Sequence, residues 1–269
     1  MIEPHQTISF TRYHRGQWEN KVGKVVTEAN LSISINGEPW NQLLCTPTDL
    51  KALAVGFIYN EGLLDRIDEI ATIDLCANND LVDIWLNHAV EKPKEWRKTS
   101  GCSGGVTAVQ SYPVYPGSIR VPTLDPDQIT RLMTKFLESQ VLYHESGGLH
   151  ASAISDGMEI VVQAEDVGRH NTIDKIAGRC LLEHLEISPR ILLTTGRISS
   201  EMVQKAYRVG AAAIVSRTAA NSLSIDKSRE LGVTLIGYAR RDEFIVYAKG
   251  SAFQGTPLLD HFPHSDSCG

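Results

Sequence analysis

The sequence predicts an α/β protein in which a layered α/β domain follows a smaller N-terminal α+β unit. Two observations predict the layered domain. From residue 125 onward, short apolar segments alternate with segments of helical period, as strands and their covering helices do. These apolar segments are continuous runs, which are typical of strands buried on both faces of a sheet. A third observation, hairpin and helix signals mixed together before residue 95, predicts the N-terminal unit.

The N-terminal unit begins with an antiparallel element. Residues 31–35 alternate apolar and polar side chains, and Asn36-Gly37 is a strong hairpin turn signal before residues 42–45. Pro47-Thr48-Asp49 then opens a helix with one apolar face. Two further strands are predicted near residues 67–75 and 81–86, which completes a small α+β unit.

A long connection separates the two units. Prolines and glycines interrupt residues 88–123, and no strand or helical period survives there. Irregular connections of this length inside compact domains are often functional. We therefore divide the chain into an N-terminal α+β domain (1–95), a mobile connection that carries Cys102 (96–124) and an α/β domain (125–269).

The α/β domain opens with a well-marked helix. Asp125 is a good N-cap, Pro126 suits the first helical position, and Gln128 can reach back to the cap. An apolar stripe continues as far as residue 141. The strands and helices that follow are predicted at 159–164, 171–186, 191–195, 199–209, 211–216, 221–231, 233–238 and 244–248.

Composition excludes several classes of protein. At 269 residues and 42% hydrophobic content the chain can build substantial cores, and a formal charge of −6 favours neither nucleic-acid nor membrane binding. No apolar run approaches the roughly 18 residues that a membrane span needs, and the N-terminus has no leader pattern. We expect a cytoplasmic protein. Its five scattered cysteines, odd in number and without a C-x-x-C pair, indicate free thiols in a reducing compartment.

The first candidate site is the run at residues 165–175, which places six ionisable side chains between a predicted strand and a predicted helix. Such junctions gather ligand groups at the carboxyl ends of strands, where helix N-terminal amides attract anions. The alternative is a solvated and well-capped turn.

Cys102 is the second candidate. It lies in Ser100-Gly101-Cys102-Ser103-Gly104-Gly105, whose glycines leave the sulfur accessible, and Arg97 and Lys98 could favour the reactive thiolate. An incidental loop cysteine remains the alternative. The other four cysteines are interpreted as buried filler or as part of the tail: Cys45, Cys76, Cys180 and Cys268.

The pair His150-Ala151 resembles the start of the H-A-E motif of zinc nucleobase deaminases. Ser152 stands where the proton-transferring glutamate belongs, and no P-C-x-x-C follows, so we predict no metal site. His150 is left open as a pocket residue or a structural histidine.

Three polar strand exits are further candidates, and each carries arginine. They contain Arg197 (194–200), Arg217 (216–221) and the pair Arg240 and Arg241 (238–243). If all the strands run parallel, the three exits converge on one edge of the sheet. The last exit could instead be the turn of a hairpin, and it would then depart from that arrangement. Arg197, next to free helix amides, could meet a phosphate, although the loop is not a Walker A motif.

These motifs together resemble the formate dehydrogenase accessory protein family, the sulfurtransferases called FdhD. The resemblance covers most of the chain and is carried by four segments: 147–151, 165–175, 195–202 and 215–219. It implies a cytidine-deaminase-like three-layer α/β domain. It also implies a sulfur carrier for formate dehydrogenase, which accepts sulfur from a cysteine desulfurase as a persulfide. The sulfur then passes to the bis-pterin guanine dinucleotide form of the molybdenum cofactor.

The resemblance implies roles for particular residues. Cys102 would be the catalytic persulfide carrier, and a homodimer is expected. The cofactor would be bound by Tyr238, Ala239, Arg240, Arg241, Asp242, Glu243, His170, Asn171, Arg197 and Arg217. One departure stands out, because the family pattern C-G-x-C-G has a second cysteine where this chain has Gly105. The rival functions are a cofactor-binding chaperone without sulfur transfer and a hydrolytic deaminase.

Overall fold

The computed structural model describes residues 2–92, 96–98, 106–108, 115, 119–120 and 123–250. Cys102, Gly105 and Cys268 therefore lie outside the described residues. Over residues 2–92 the N-terminal unit contains six strands, one helix and one 3-10 turn at Ile67–Glu69. Their bounds are β1 (His5–His14), β2 (Gln17–Val26), β3 (Ala29–Ile35), β4 (Glu38–Cys45), α1 (Leu50–Asn60), β5 (Ile70–Leu75) and β6 (Leu81–Leu86).

Strands β3 to β6 form a four-stranded sheet in the order β4-β3-β6-β5. Leu31, Ile33 and Ile35 of β3 are buried, whereas the alternating serines are only half-buried. The predicted turn between β3 and β4 is confirmed. Asn36 and Gly37 both have positive φ, 52° and 81°, as a type I′ turn requires.

Strands β1 and β2 form a separate hairpin in a stretch for which the sequence predicts no element. Their ten residues each pair without a break, from His5 with Val26 to His14 with Gln17. Arg15 and Gly16 turn the chain with positive φ at both positions. Neither face shows a clean apolar pattern, which is why alternation does not reveal the hairpin in the sequence.

The predicted connection contains two short strands, β7 (Trp96–Lys98) and β8 (Val106–Ala108), which pair antiparallel. Lys98 pairs with Val106, so Cys102 is the middle residue of the sequence that joins them. The mobility of residues 96–124 stays a prediction.

The α/β domain follows, and its described residues, 125–250, contain five helices and six strands. Their bounds are α2 (Pro126–Glu138), α3 (Val141–Ser146), β9 (His150–Ser155), β10 (Ile160–Asp166), α4 (Arg169–Leu182), β11 (Ile191–Thr194), α5 (Ser200–Arg208), β12 (Ala213–Ser216), α6 (Ser222–Glu230), β13 (Thr234–Gly237) and β14 (Ile245–Ala248). Asp125 caps α2 as predicted, since its side chain accepts from the backbone N–H of Gln128. The apolar stripe predicted to reach residue 141 belongs to two helices, because residues 139–140 are not helical and separate α2 from α3.

Strands β9 to β14 form one sheet in the order β10-β9-β11-β12-β13-β14. The central strands β11, β12 and β13 are parallel, and the flanking strands are antiparallel to their neighbours. Helix α2 packs on one face, where Phe136 and Met133 meet Leu193 and Val215. Helices α4 and α5 cover the other face through residues such as Ile176. The predicted layered α/β architecture is confirmed, and its likeness to cytidine deaminases stays an expectation.

Helix α1 joins the N-terminal unit to the α/β domain by packing against α4. A Cβ atom on Gly56 would lie 1.7 Å from the backbone oxygen of Asp174, and one on Gly178 would lie 1.9 Å from that of Ala52. The two backbones are therefore in direct contact. One continuous apolar core extends from the four-stranded sheet through α1 and α4 to the central sheet.

Across the ranges that the structure covers, no helix combines the length and the apolar character needed to cross a membrane.

Candidate functional site

Four strand ends and two strand starts meet at one edge of the six-stranded sheet, which we call the carboxyl edge. Thr194, at the end of β11, pairs with Ser216 at the end of β12 and with Ser152 near the start of β9. Strand β10 also ends there, because Asp166 pairs with His150. The three arginine-bearing exits therefore lie side by side, and the last one is the turn of the antiparallel β13–β14 hairpin.

Three helices begin at the carboxyl edge. Gly168 precedes α4, and the side chains of Ser199 and Asn221 cap α5 and α6 by accepting from the N–H groups of Met202 and Ser224. The first amides of each helix carry partial positive charge, so converging N-termini favour anions at this edge.

Gly196, in the first exit, lies close to the start of α4, to the start of β9 and to the second exit. A Cβ atom at this position would lie 3.0 Å from Cβ of Arg169 and 3.6 Å from Nδ1 of His150. The Ser216 hydroxyl donates to the carbonyl of Gly196 at 2.8 Å and accepts from the N–H of Thr218 at 3.0 Å. These contacts fix the β11–α5 and β12–α6 junctions against each other.

Arg197 and Arg217 lie on these two junctions with exposed side chains. The backbone N–H of Arg217 donates to the carbonyl of Thr194 at 3.0 Å, which ties one junction to the strand of the other. Both guanidinium groups therefore stand on rigid backbone at the carboxyl edge. This is the arrangement that recognition of an oxyanion requires.

Two histidines lie at the same edge, and burial lowers the pKa of both. His150 is half-buried, and its pKa is lowered further by the positive charge of Arg169. His170 is 9% exposed. Its Nε2 lies 3.2 Å from Oε2 of Glu201, so an imidazole and a carboxylate are in direct contact. That contact only partly opposes the effect of burial on the pKa of His170. Both imidazoles are therefore mainly neutral at pH 7.

The predicted cofactor loop, residues 238–243, extends the carboxyl edge. Its start is pinned to the neighbouring junction, since the N–H groups of Tyr238 and Ala239 donate to the carbonyls of Thr218 and Ser216. Ala239 is fully buried. The remaining side chains of the loop are exposed: Tyr238, Arg240, Arg241, Asp242 and Glu243. Arg240 makes an exposed ion pair with Glu243 at 3.3 Å.

Asn171 has a different environment from the other predicted cofactor residues. Its side-chain amide donates to the carbonyl of Leu44 at 2.7 Å and to Oδ1 of Asp166 at 2.8 Å. Only 5% of the residue is exposed. Both amide hydrogens are thus engaged in holding the start of α4 to the end of β4.

The remaining charges of the 165–175 run also serve the packing of the chain. The buried Lys175 ammonium lies 2.7 Å from Asp166 and donates to the carbonyl of Thr46 at 3.0 Å. Asp174 accepts from Lys205 of α5 at 2.6 Å and from Asn60 of α1 at 2.7 Å. Paired, hydrogen-bonded charges of this kind are the form in which buried charges are tolerated. The run therefore connects α4 to α1, β4 and α5.

Ser152 is a structural hydroxyl. It is fully buried and lies within hydrogen-bond distance of the hydroxyls of Thr172 and Thr194, at 2.7 and 3.0 Å. Among the described residues, no group of three His, Cys, Asp or Glu side chains is placed to hold a metal ion.

Two of the described cysteines lack the reactive thiolate that is expected of Cys102. Burial raises the pKa of Cys45 to about 12 and also raises that of Cys180, so both remain neutral thiols. Cys76 is half-buried, with Sγ 2.8 Å from a carboxylate oxygen of Asp80. Neutral buried thiols are poor nucleophiles.

Sequence reasoning missed two contributors to the carboxyl edge. Gly196 has no side chain and so allows the close approach of Arg169 and His150. Glu201 contacts His170, which lies in another helix. Ser199 and Asn221, which cap α5 and α6, mark where two of the anion-favouring amide groups begin.

Comparison with known proteins identifies what the chain is similar to. The model of the FdhD/NarQ family matches residues 26–254. Proteins named sulfur carrier protein FdhD from two Staphylococcus aureus strains, MRSA252 and the bovine strain RF122 / ET3-1, are each 32% identical over 243 residues. The match covers 88% of this chain and 92% of each relative.

A solved structure shares the fold. It is the crystal structure of a Desulfotalea psychrophila protein assigned as a formate dehydrogenase accessory protein, with a TM-score of 0.78 and 23% sequence identity. The alignment covers 94% of this chain and 100% of that one.

Proposed function

The chain belongs to the FdhD/NarQ family, and from that premise we propose that it is a sulfur carrier required for formate dehydrogenase activity. Its sulfur donor would be a cysteine desulfurase. The acceptor would be the bis-pterin guanine dinucleotide molybdenum cofactor, bound as a substrate before its insertion into formate dehydrogenase. The names of the relatives support the carrier role, and the carboxyl edge supports the binding of a phosphate-rich acceptor.

The carrier step is assigned to Cys102. Its thiolate attacks the outer sulfur of the donor persulfide, a new S–S bond forms, and the donor cysteine leaves as a thiolate. In the second step the terminal sulfur would pass to the metal of the substrate, and the electron pair of the S–S bond returns to Cys102 as a thiolate. The transferred atom leaves at the oxidation level of elemental sulfur, so two electrons from an external dithiol, which becomes a disulfide and releases two protons, reduce it to sulfide. One cysteine is sufficient for both steps, so Gly105 at the second family position is compatible with the mechanism.

The observation that carries the acceptor proposal is the convergence of three strand exits and three helix N-termini at the carboxyl edge. A guanine dinucleotide presents phosphates, which suit arginines and free helix amides, and a base, which suits polar side chains. We assign these contacts to Arg197, Arg217 and the 238–243 loop. His170 would line the pocket as a neutral donor or acceptor.

Asn171 has an indirect role in the proposed binding of the cofactor. Because its amide hydrogens already serve Leu44 and Asp166, we assign its effect on the cofactor to the placement of the α4 N-terminus.

Two rival functions make different predictions. A cofactor-binding chaperone would hold the same substrate without taking up sulfur, and the missing second cysteine motivates that alternative. A deaminase would need a metal-bound water and a proton-transferring carboxylate. At the position of that carboxylate the chain has Ser152, buried within a hydroxyl network.

The decisive experiment is intact-protein and peptide mass spectrometry after incubation with a cysteine desulfurase and cysteine. We expect a gain of about 32 Da, one sulfur atom, on Cys102 and its reversal by a thiol reductant. Cys76→Ser is the matched control and should load normally. No gain on Cys102 would contradict the carrier proposal and favour the chaperone.

A second measurement separates chemistry from binding. Cys102→Ala should abolish maturation of formate dehydrogenase and leave guanine nucleotide binding unchanged, because we assign sulfur transfer to the Cys102 thiol and nucleotide binding to the carboxyl edge. Loss of both activities together would mean that the segment around Cys102 is structural.

A further inference from the structure

A groove of about 830 Å³ lies on the four-stranded sheet of the N-terminal unit. Ser32 and Ser34 of β3 form its floor, because the residues that alternate with them are buried on the opposite face of the strand. Strand β4 supplies one wall and the start of β6 supplies the other, since Ser34 pairs with Pro39 on one side and with Asp83 on the other. The volume of the groove is within the range of small-molecule sites, about 300 to 1,000 Å³.

The β4 wall contains a buried hydrogen-bond donor that has no partner. Trp40 is the extra residue of a β-bulge, because Asn41 pairs with Ile33 and Pro39 pairs with Ser34. Bulges redirect a side chain and are common beside functional sites. Only 6% of Trp40 is exposed, it lines the groove, and its indole N–H makes no hydrogen bond within the protein. A buried donor left unsatisfied is unfavourable, so this N–H indicates an acceptor that comes from outside the chain.

Two more donors lie at the same wall. The side-chain nitrogen of Asn41 has no partner, although the oxygen of the same amide accepts from the backbone N–H of Gln42 at 2.8 Å. The Lys92 ammonium donates to the carbonyl of Pro39 at 2.8 Å, which brings a full positive charge to this wall. That bond uses one of its three hydrogens. The β4 wall therefore suits a carboxylate.

The β6 wall has the opposite charge. Asp80 and Asp83 line it, and Asp74 pairs with Asp83 across β5 and β6. The hydrogen-bond donors described for Asp80 and Asp83 are neutral groups, namely a hydroxyl, an indole N–H and a thiol. Like charges on paired strands destabilise a sheet, so a cation at this wall is favoured. Within the described part of the chain these carboxylates are not grouped to hold a metal ion, and the wall therefore fits an organic ammonium.

The distance between the walls requires a ligand with two separated charges. Strands β4 and β6 lie on either side of β3, so their backbones are about 10 Å apart. One compact ion cannot contact both walls over that distance. An extended dipeptide spans about 7 Å between its ends, and a hydrogen bond of about 3 Å at each end lets it reach both walls.

We propose that this groove binds a short zwitterionic peptide of about two residues. Its carboxylate accepts from Trp40, Asn41 and Lys92, and its ammonium lies between Asp80 and Asp83. The peptide group crosses the serine floor, where hydroxyls can pair with its N–H and carbonyl. The residues that line the groove all belong to the N-terminal unit, so the proposal is independent of sulfur transfer.

Titration with free alanyl-alanine and alanyl-leucine tests the proposal. We expect saturable one-to-one binding in calorimetry, and a shift of the Trp40 indole N–H resonance in nuclear magnetic resonance spectra. Trp40→Phe keeps an aromatic ring but removes the donor, and it should raise the dissociation constant about fivefold or more. Asp83→Asn should have a similar effect by removing the charge. Glu138→Gln, at an exposed residue of α2, is the matched control and should bind normally.

Capped dipeptides test the requirement for two charges. The N-acetyl form lacks the ammonium and the C-terminal amide lacks the carboxylate, so each should bind about fivefold or more weakly than the free dipeptide. Equal binding of the capped forms, or an indole resonance of Trp40 that does not shift at millimolar dipeptide, would overturn the proposal. If Trp40→Phe loses its circular dichroism spectrum, Lys92→Met at an exposed position provides the same test of the β4 wall.

Discussion

Individual residues at the carboxyl edge divide into those that hold the backbone and those that are available to a ligand. Contacts with neighbouring elements of the chain engage the side chains of Asp166, Lys175 and Asn171. Arg197 and Arg217 stand exposed on backbone that the contacts around Gly196 fix. Residue type alone could not separate the two groups, because both are polar and both lie in strand-to-helix junctions.

Replacing the exposed arginines should weaken guanine nucleotide binding. A charge-assisted hydrogen bond to phosphate contributes about 1.5 to 3 kcal/mol, and solvent exposure places these residues at the lower end. We therefore expect Arg197→Ala or Arg217→Ala to raise the dissociation constant about tenfold in isothermal titration calorimetry. Arg229→Ala, an exposed arginine on α6 that is paired with Asp226, is the control and should bind normally. Unchanged affinity in both variants would place the nucleotide elsewhere.

At the scale of elements, the contact between α1 and α4 connects the two parts of the chain. Helix α4 starts at the carboxyl edge, and its middle touches α1 through glycine, so its position is set by the N-terminal unit. Buried polar contacts from Asp174 to Lys205 and Asn60 add a second restraint on the same helix. The N-terminal unit consequently takes part in shaping the site, although it contributes few residues to it.

Adding one methyl group at this contact should destabilise the protein strongly. In an exposed helix Gly→Ala would be stabilising by about 1 kcal/mol. For Gly56→Ala and Gly178→Ala the new Cβ would overlap a backbone oxygen, and we expect a loss of about 3 kcal/mol or more in the free energy of unfolding. Urea denaturation measures it. Lys51→Ala, on the exposed side of α1, should change stability by no more than about 0.5 kcal/mol, and a stability gain at either glycine would contradict the described packing.

At the scale of the whole molecule, the two histidines of the carboxyl edge, His150 and His170, make stability depend on pH. The pKa of His150 and of His170 is lowered in the folded protein, so the unfolded chain binds more protons just below its ordinary histidine pKa, about 6.5. The contribution is present above that value and is lost as the pH falls toward the folded pKa values.

We therefore expect the melting temperature to fall as the pH is lowered from 7.5 through 6, measured without nucleotide. His170→Gln should reduce this fall, since its side chain does not titrate. His14→Gln, at an exposed position on β1, should leave the fall unchanged. A melting temperature that rises on acidification over this range would show that the histidines are not buried in neutral form.

The sequence by itself determined the layered α/β class, the β3–β4 turn, the capped start of α2 and the arginine-bearing strand exits. These features depend on local periodicity, turn chemistry and capping, which neighbouring residues specify. Family motifs also pointed to Cys102 as the carrier, a role that stays a prediction.

Only the tertiary structure decided which polar residues face each other. It showed that the last exit is a hairpin turn at the same edge as the other two, that most of the 165–175 run holds α4 in place, and that β1–β2 stands apart as an arm. Each of these facts depends on contacts between residues far apart in the chain. Strand direction, burial and ion pairing arise from that packing, and no local pattern encodes them.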